Sequence, residues 1–426
     1  MKLNTDIQTG NGTISLMTLV AILSVSLVVN LPGLAITPML SNIKHIFPSS
    51  SELEVQMLTV LPNLFIIPFV LLSGKLSVSR SKIMLLISGL SVYIVCGILY
   101  FFAKSMTDLI VISCLLGISS GVVIPIAAGL VADYFTGQYR MKQLGVKSGI
   151  ANFALVLATL VVGVLAKESW RLPFVVYLTP IIPLLLLPFL RYGKIRPAVA
   201  AEASIPGGTK KTGHADGRTE TVSRSKQTGI QWGKLSGVVL LYGIATFACG
   251  AINLYLPFLA AQFGIDDSAV GMITALFFSC IMLSGFLLPR AIHVFKGTTL
   301  NVAIFMMCAG LLFGYFAHDA LFLGVSACMV GLGYGIIQPV AYDKAVETST
   351  DISATFALSV LLAANYLAIT ITPFVVDFFK DILHIRGNQF PYLLDTVIVG
   401  VLFAVSVLGR DRFTFKVDAH LDIHES

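Results

Sequence analysis

The sequence predicts an all-α polytopic membrane protein: twelve transmembrane helices arranged as two pseudo-symmetric six-helix bundles. Three observations carry that prediction: a composition too apolar for water, a series of apolar runs of membrane-spanning length, and a set of motifs that occurs twice. Of 426 residues, 56% are hydrophobic and 12% charged, with a mean hydropathy of +0.88. A soluble domain carries about 25% charged residues, which excludes a cytosolic or secreted chain. Twelve spans of about 20 residues use about 240 positions, leaving room for short loops and one longer linker. An outer-membrane barrel is excluded as well, because its strands alternate apolar and polar residues instead of running apolar throughout.

The apolar runs place helices at 14–40, 55–74, 83–103, 109–132, 148–166, 173–190, 235–261, 270–289, 299–317, 320–342, 354–379 and 392–409. The first is too long for a signal peptide and lacks a small-residue cleavage site after it, so it reads as a retained helix. The chain then divides into an N-terminal segment 1–13, a bundle 14–190, a linker 191–234, a second bundle 235–409 and a tail 410–426. The linker is rich in Gly, Ser, Thr and charge without apolar period, which predicts a disordered connector. With an even number of spans both termini share a side, and that side holds 22 of the 28 Lys and Arg residues. Basic loops stay inside, so both termini and the linker are expected in the cytoplasm, with the chain in the cell membrane. In the loop after the tenth helix, Asp343, Lys344, Glu347 and Asp351 are net acidic, as if to pair with neighbouring basic loops. Ser51 with Glu54 has the spacing of a capping box at the start of the second helix.

Topology and anionic lipid account for the formal charge of +6, so no nucleic-acid partner is expected. All six cysteines lie in apolar runs and the seven histidines are scattered. That pattern predicts neither a disulfide framework nor a metal site, and no cofactor. No P-loop or catalytic cluster occurs, so the chain is not expected to be an enzyme.

The halves match at an offset near half the length. Gly117, Gly121 and Pro125 in the fourth helix recur as Gly331, Gly335 and Pro339 in the tenth, 214 positions on. Asn152 with Thr159 recurs as Asn365 with Thr372 at an offset of 213, and Leu72-Ser73-Gly74 as Leu283-Ser284-Gly285 at 211. A duplicated bundle places a substrate path between the halves near the midplane. The paired glycines permit close helix approach, either as plain packing or as part of a moving interface. The prolines remove a helical hydrogen bond, which neighbouring groups must make good.

These features resemble the major facilitator superfamily over essentially the whole chain. The resemblance rests on the six-plus-six repeat with its basic linker, the loop from Gly74 to Lys82, the exit Ala132-Asp133-Tyr134-Phe135 from the fourth helix, and Trp170-Arg171-Leu172-Pro173-Phe174. It implies an alternating-access transporter whose helices 1, 4, 7 and 10 line the cavity. It also implies an inner gate in which Gly74, Leu76 and Lys82 carry over. The acidic member of the family's loop is replaced by Val78, and its later glycine by Ser81. Asp133 can pair instead with Arg80 or Lys82, as a gate lock or as an ordinary interfacial pair. The chain is nearest in character to the drug–proton antiporters, yet Ser113 stands where they carry an arginine and Ala158-Thr159 where they carry Gly-Pro.

The charged residues fall at loops and span ends, which predicts a nearly uncharged path and a neutral or amphipathic small-molecule substrate. Candidate substrate contacts are Asn30, Asn63, Asn152, Asn253, Tyr334, Gln338 and Asn365, of which the resemblance gives weight to Asn30, Asn253 and Gln338. Interhelical hydrogen bonding is the alternative role for each amide. Candidate gate residues are Gly74, Arg80, Lys82, Asp133, Gly117, Gly121, Pro125, Gly331, Gly335 and Pro339. With no carboxylate at mid-depth, proton coupling is expected through Asp133, Asp343 or Asp377 at the membrane boundaries; Asp395 too is assigned to an outer end. The expected activity is proton-coupled efflux by a monomer in the bilayer. The alternatives are uptake or facilitated diffusion of a neutral metabolite, and a non-transporting receptor or assembly factor.

Overall fold

A computed structural model describes residues 6–10, 12–33, 35, 43, 46–50, 52–79, 81–166, 168–192, 229–265, 267–350, 353–385, 387–409 and 411–417. Arg80, Ser51, Asp351 and nearly all of the linker lie outside the described residues. Two short antiparallel strands, β1 (Asp6–Gln8) and β2 (Thr13–Ser15), precede the helices, with Ile7 opposite Ile14. The helices are α1 (Leu16–Ser24, running on as a 3-10 turn to Val28), α2 (Glu52–Ser79), α3 (Lys82–Phe102), α4 (Met106–Tyr134) and α5 (Gly137–Leu165). The first half closes with a 3-10 segment Leu172–Leu178 leading into α6 (Ile181–Tyr192). The second half holds α7 (Trp232–Ala248, continued through a π-helical turn Ala251–Tyr255 to Gln262), α8 (Asp267–Phe295) and α9 (Thr299–Tyr315). It ends with α10 (Ala320–Glu347), α11 (Ala354–Leu383) and α12 (Phe390–Leu408).

Among the described residues, 10 stretches are long and apolar enough to cross a membrane. One of them, Ala269–Tyr315, is 47 residues long and contains both α8 and α9. That is about 70 Å of helix against a hydrocarbon core of about 30 Å, so the chain must turn within it. It does so at Lys296, whose φ is 49°. The first expected span is represented by the shorter apolar segment Leu16–Val28, so the full count of twelve is only partly on view. Large apolar side chains such as Phe102 and Leu185, each 71% exposed, give the outer surface its hydrocarbon-facing character.

Local chemistry sets the helix ends. Ser105 Oγ accepts from the Asp108 N–H at 3.1 Å while Asp108 Oδ2 accepts from the Ser105 N–H at 2.9 Å, a complete capping box at the start of α4. The position 214 residues on is Asp319, whose Oδ1 caps α10 by accepting from the Phe322 N–H at 2.8 Å. Pro257 lacks the N–H that would bond to the Asn253 carbonyl, and α7 relaxes there into its π-helical turn. Pro125 and Pro339, by contrast, sit inside uninterrupted helices, where the residue four back is Gly121 or Gly335.

The duplication is visible in the packing. A Cβ on Gly117 would lie 2.5 Å from the Pro62 carbonyl oxygen of α2, and one on Gly331 would lie 2.7 Å from the Phe277 carbonyl oxygen of α8. One turn on, a Cβ on Gly121 would meet the Ile66 oxygen at 2.9 Å, and one on Gly335 the Ile281 oxygen at 2.6 Å. Between the halves, Gly145 of α5 and Gly285 of α8 face each other backbone to backbone, a Cβ on either lying 2.5 or 2.9 Å from the other's oxygen. The matching contact joins Gly74 of α2 to Ser359 of α11. Replacing Gly121 or Gly335 by Leu forces the paired helices apart; overpacking costs about 1–3 kcal/mol, occasionally more. Each variant should show a lowered unfolding temperature by thermal denaturation in detergent, and no turnover in any transport assay in which the wild type is active.

Candidate functional site

Helix α5 explains how polar groups come to lie between the halves. Arg140, Gln143, Lys147, Ser148 and Asn152 recur at helical spacing and so share one face. Each is buried. That face packs on α8 and α10 of the second half. Ser148 is eleven residues from the start of α5 and Gln338 nine from the end of α10. At 1.5 Å per residue these are about 14–17 Å from the helix ends, close to the middle of the membrane.

At this depth Ser148 Oγ donates to Gln338 Oε1, which links the two halves. Gln338 Nε2 donates to the hydroxyls of Tyr242 at 3.1 Å and Tyr342 at 3.4 Å. The Tyr334 hydroxyl lies 3.1 Å from that of Tyr242 and 3.2 Å from both Thr246 Oγ1 and Asn365 Oδ1. Thr246 donates to Asn365 Oδ1 at 2.8 Å. The Tyr242 and Tyr334 rings stack with centroids 6.0 Å apart, and Tyr342 meets Tyr242 edge-on at 5.6 Å. In the first half, Asn30 Nδ2 donates to Asn152 Oδ1 at 3.4 Å, and Asn152 Nδ2 to the Ser148 carbonyl at 2.8 Å. Lys147 is 2% exposed, with Nζ 4.9 Å from the centroid of the Tyr342 ring.

Toward one end of the bundle the polar face of α5 becomes a charged clamp. Arg140 Nε lies 2.5 Å from Asp343 Oδ1, and Nη2 lies 3.7 Å from Glu347 Oε1. Both carboxylates come from α10, so the clamp joins the halves. Lys344 donates to the Phe413 and Lys416 carbonyls at 2.6 and 2.5 Å, anchoring the segment after α12. Lys82 and Asp133 also pair, at 2.7 Å, but they join α3 to α4 within the first half.

The remaining expected contacts are dispersed. Asn63 donates to the Thr59 carbonyl of its own helix at 3.1 Å, and exposed Asn253 to the Cys249 carbonyl at 3.0 Å. Asp377 is exposed on α11.

Two expectations are corrected. The fifth helix starts at Gly137, not at 148, because the basic residues taken as a loop have a protein surface to bury them. The path is therefore not uncharged, since Lys147 sits at mid-depth. Asp395 is fully buried, five residues from the start of α12. Arg140, Lys147, Ser148, Tyr242, Thr246 and Tyr342 were not among the expected site residues. For Arg140, Lys147 and Ser148 the signal was the buried-polar spacing along α5, hidden because basic residues were read as marking span ends.

The sequence profile described as Major Facilitator Superfamily matches residues 14–373. The chain belongs to this superfamily. Two relatives match over shorter stretches. Multidrug transporter protein MdtP of Bacillus subtilis is 31% identical over 108 residues, which are 25% of this chain and 20% of MdtP. Quinolone resistance protein NorA of Staphylococcus aureus is 28% identical over 114 residues, 27% of this chain and 29% of NorA. The matches thus span less than a third of either relative's length. Two solved structures share the fold across nearly the whole chain. The proton:xylose symporter XylE has a TM-score of 0.71 at 15% identity, covering 95% of this chain and 96% of its own. The human organic anion transporter MFSD10 has a TM-score of 0.66 at 13% identity, covering 91% and 97%.

Within this superfamily fold, Ser113 has a local role. Its hydroxyl lies 2.7 Å from that of buried Tyr100, so it joins α4 to α3. The Ser148–Gln338 bond should behave as a direct link between the halves. In a double-mutant cycle of Ser148→Ala and Gln338→Leu, read by thermal unfolding in nanodiscs, the expected coupling is about 0.6–1.7 kcal/mol. Additive effects of the two substitutions would contradict the bond.

Proposed function

We propose that this superfamily member is a secondary transporter working by alternating access, and that it exports neutral or amphipathic small molecules using the proton gradient. The observation that carries the reading is the polar cluster at mid-depth, built by both halves and closed toward one end by the Arg140–Asp343 clamp. A site shared by two rocking bundles is what alternating access requires. The same clamped end holds the Gly74–Ser359 and Gly145–Gly285 approaches, so the halves are shut there. The distribution of basic residues supports assigning that end, both termini and the linker to the cytoplasm of the cell membrane. In that orientation the arrangement is inward-closed. The names of MdtP and NorA, matched over about a quarter of this chain, support export. A monomer suffices, since the site is formed within one chain.

Of the three carboxylates proposed for coupling, Asp343 is favoured, because its charge is tied to the closure between the halves. Asp133 bridges helices of a single half and Asp377 is exposed. A proton on Asp343 weakens the clamp and frees the inner end to open; its loss restores the clamp. Uptake or facilitated diffusion remains the second reading, favoured by Ser113 and Ala158-Thr159 standing where antiporters carry Arg and Gly-Pro.

The test is accumulation of a panel of fluorescent amphipaths in cells expressing the chain, with and without a protonophore. Export predicts lower accumulation that the protonophore reverses. Raised accumulation would favour uptake, and a protonophore without effect would rule out proton coupling. For Asp343→Asn, removing one partner of a buried pair costs about 3–5 kcal/mol, enough to shift a two-state balance by roughly a hundredfold or more. Spin labels at Gln138 and Ser349 should then report a longer inner-end distance than in the wild type, and export should lose its response to the protonophore.

A further inference from the structure

We propose that Lys147 is the binding residue for an anionic group on the transported molecule, so that the site takes amphipathic organic anions: a carboxylate or similar acid on an aromatic or apolar body. The inference rests on the transporter reading above and narrows its substrate class.

Lys147 is buried at mid-depth, beside the Ser148–Gln338 bond that joins the halves. Of its neighbours on the same face of α5, Arg140, Ser148 and Asn152 have found partners. Arg140 is held by Asp343 and Glu347, and Asn152 by the Ser148 carbonyl and Asn30. Lys147 alone on this face carries charge without a carboxylate: among the described residues it has no ion pair and no hydrogen bond, only the face of the Tyr342 ring. A ring face compensates a buried ammonium less completely than an anion does. A cation kept inside a membrane bundle under these conditions marks a substrate or ion path. The surroundings suit the rest of such a ligand. The Tyr242, Tyr334 and Tyr342 rings pack together close by, and Gln338 and Asn365 hold amide groups among their hydroxyls that a ligand can exchange with when the halves part. Position along the path agrees as well. Lys147 lies two helical turns beyond Arg140 from the clamped end, so an anion entering when that end opens meets Lys147 next.

The same arrangement explains why the anion and the clamp are compatible. Asp343 and Glu347 are engaged by Arg140, so they do not compete for Lys147 while the inner end is shut. An anion bound at Lys147 neutralises the charge that otherwise has only a ring to face, which favours closure of the halves around the ligand.

The experiment compares three probes of one shape, 2-naphthoate, 2-naphthamide and 2-naphthylmethylammonium, by thermal shift on the purified full chain in nanodiscs. The wild type should bind naphthoate at least tenfold more tightly than the amide, and the ammonium least well. Lys147→Gln should bring naphthoate and amide within about twofold of each other, while Lys147→Arg keeps the preference. If Lys147→Gln does not purify folded, Lys147→Met serves as the uncharged variant, and the wild-type ratio is decisive on its own. A wild type without anion preference, including one that binds none of the probes, overturns the proposal. So does a preference that survives loss of the charge. Flux of the same probes from liposomes separates the two readings. Amide moved without anion preference leaves the transporter standing and removes the role of Lys147. Anion preference in binding with no flux of any probe keeps the site and removes the transporter.

Discussion

A helix surrounded by hydrocarbon can bury a polar face in only one direction, and the architecture follows from where α5 turns its own. Arg140, Gln143, Lys147, Ser148 and Asn152 are shielded from lipid only if the second half covers them. The covering surface is α8 and α10, which supply Asp343, Gln338 and close backbone approach at Gly285. The contact between halves is thereby held by polar chemistry as well as by packing, and apolar packing alone offers no hydrophobic gain in a membrane. Polar contacts of this kind exchange readily for water or ligand when the halves part, whereas a lost van der Waals interface has no such replacement.

The duplication makes the unequal use of the two halves plain. At the offset of 213 that relates α5 to α11, the partners of Arg140, Gln143, Lys147 and Ser148 are Ser353, Phe356, Val360 and Leu361, none of them charged. Asp343 and Gln338 of α10 correspond to Gly129 and Ile124 of α4. The first half therefore places its polar face on α5 and the second on α7 and α10, so charge lies along one side of the interface and not the other. What both halves keep is the mid-depth amide contact: Asn30 with Asn152 in one, Thr246 with Asn365 in the other. One half has a hydroxyl where the other has an amide, and the symmetry survives in position more than in chemistry.

Much of the fold was legible because bilayer thickness and the repeat act on long stretches of sequence. Apolar run length located the helices, and glycines four apart marked α4 and α10 for close approach, for which the structure supplies α2 and α8 as the neighbours. The Asp133–Lys82 pair was legible from the loop after α2. The site was legible in part. Tyr334, Gln338, Asn152 and Asn365 meet at mid-depth or beside it, while Asn63 and Asn253 bond to carbonyls of their own helices, a local satisfaction that residue type alone does not reveal. Helices 1, 4, 7 and 10 were expected to dominate, yet α5 and α11 contribute as much. The clearest miss was to treat charge as the end of a span. Lys147 and Arg140 are inside one because a neighbouring protein surface, invisible in a one-dimensional hydropathy reading, stands where lipid was assumed.

The facing backbones at Gly145 and Gly285, and the related approach of Gly74 to Ser359, have a mechanical corollary. Where backbone faces backbone, as at Gly145 and Gly285, no side-chain knob interlocks, and at Gly74 the facing knob is only the small Ser359 side chain, so the helices there can roll and slide past one another. The two contacts act as a pair of bearings, disposed symmetrically about the axis that relates the halves. In the alternating-access cycle proposed above, resistance to rocking is assigned to the electrostatic latch beside them, and the speed of the cycle to how quickly that latch is released.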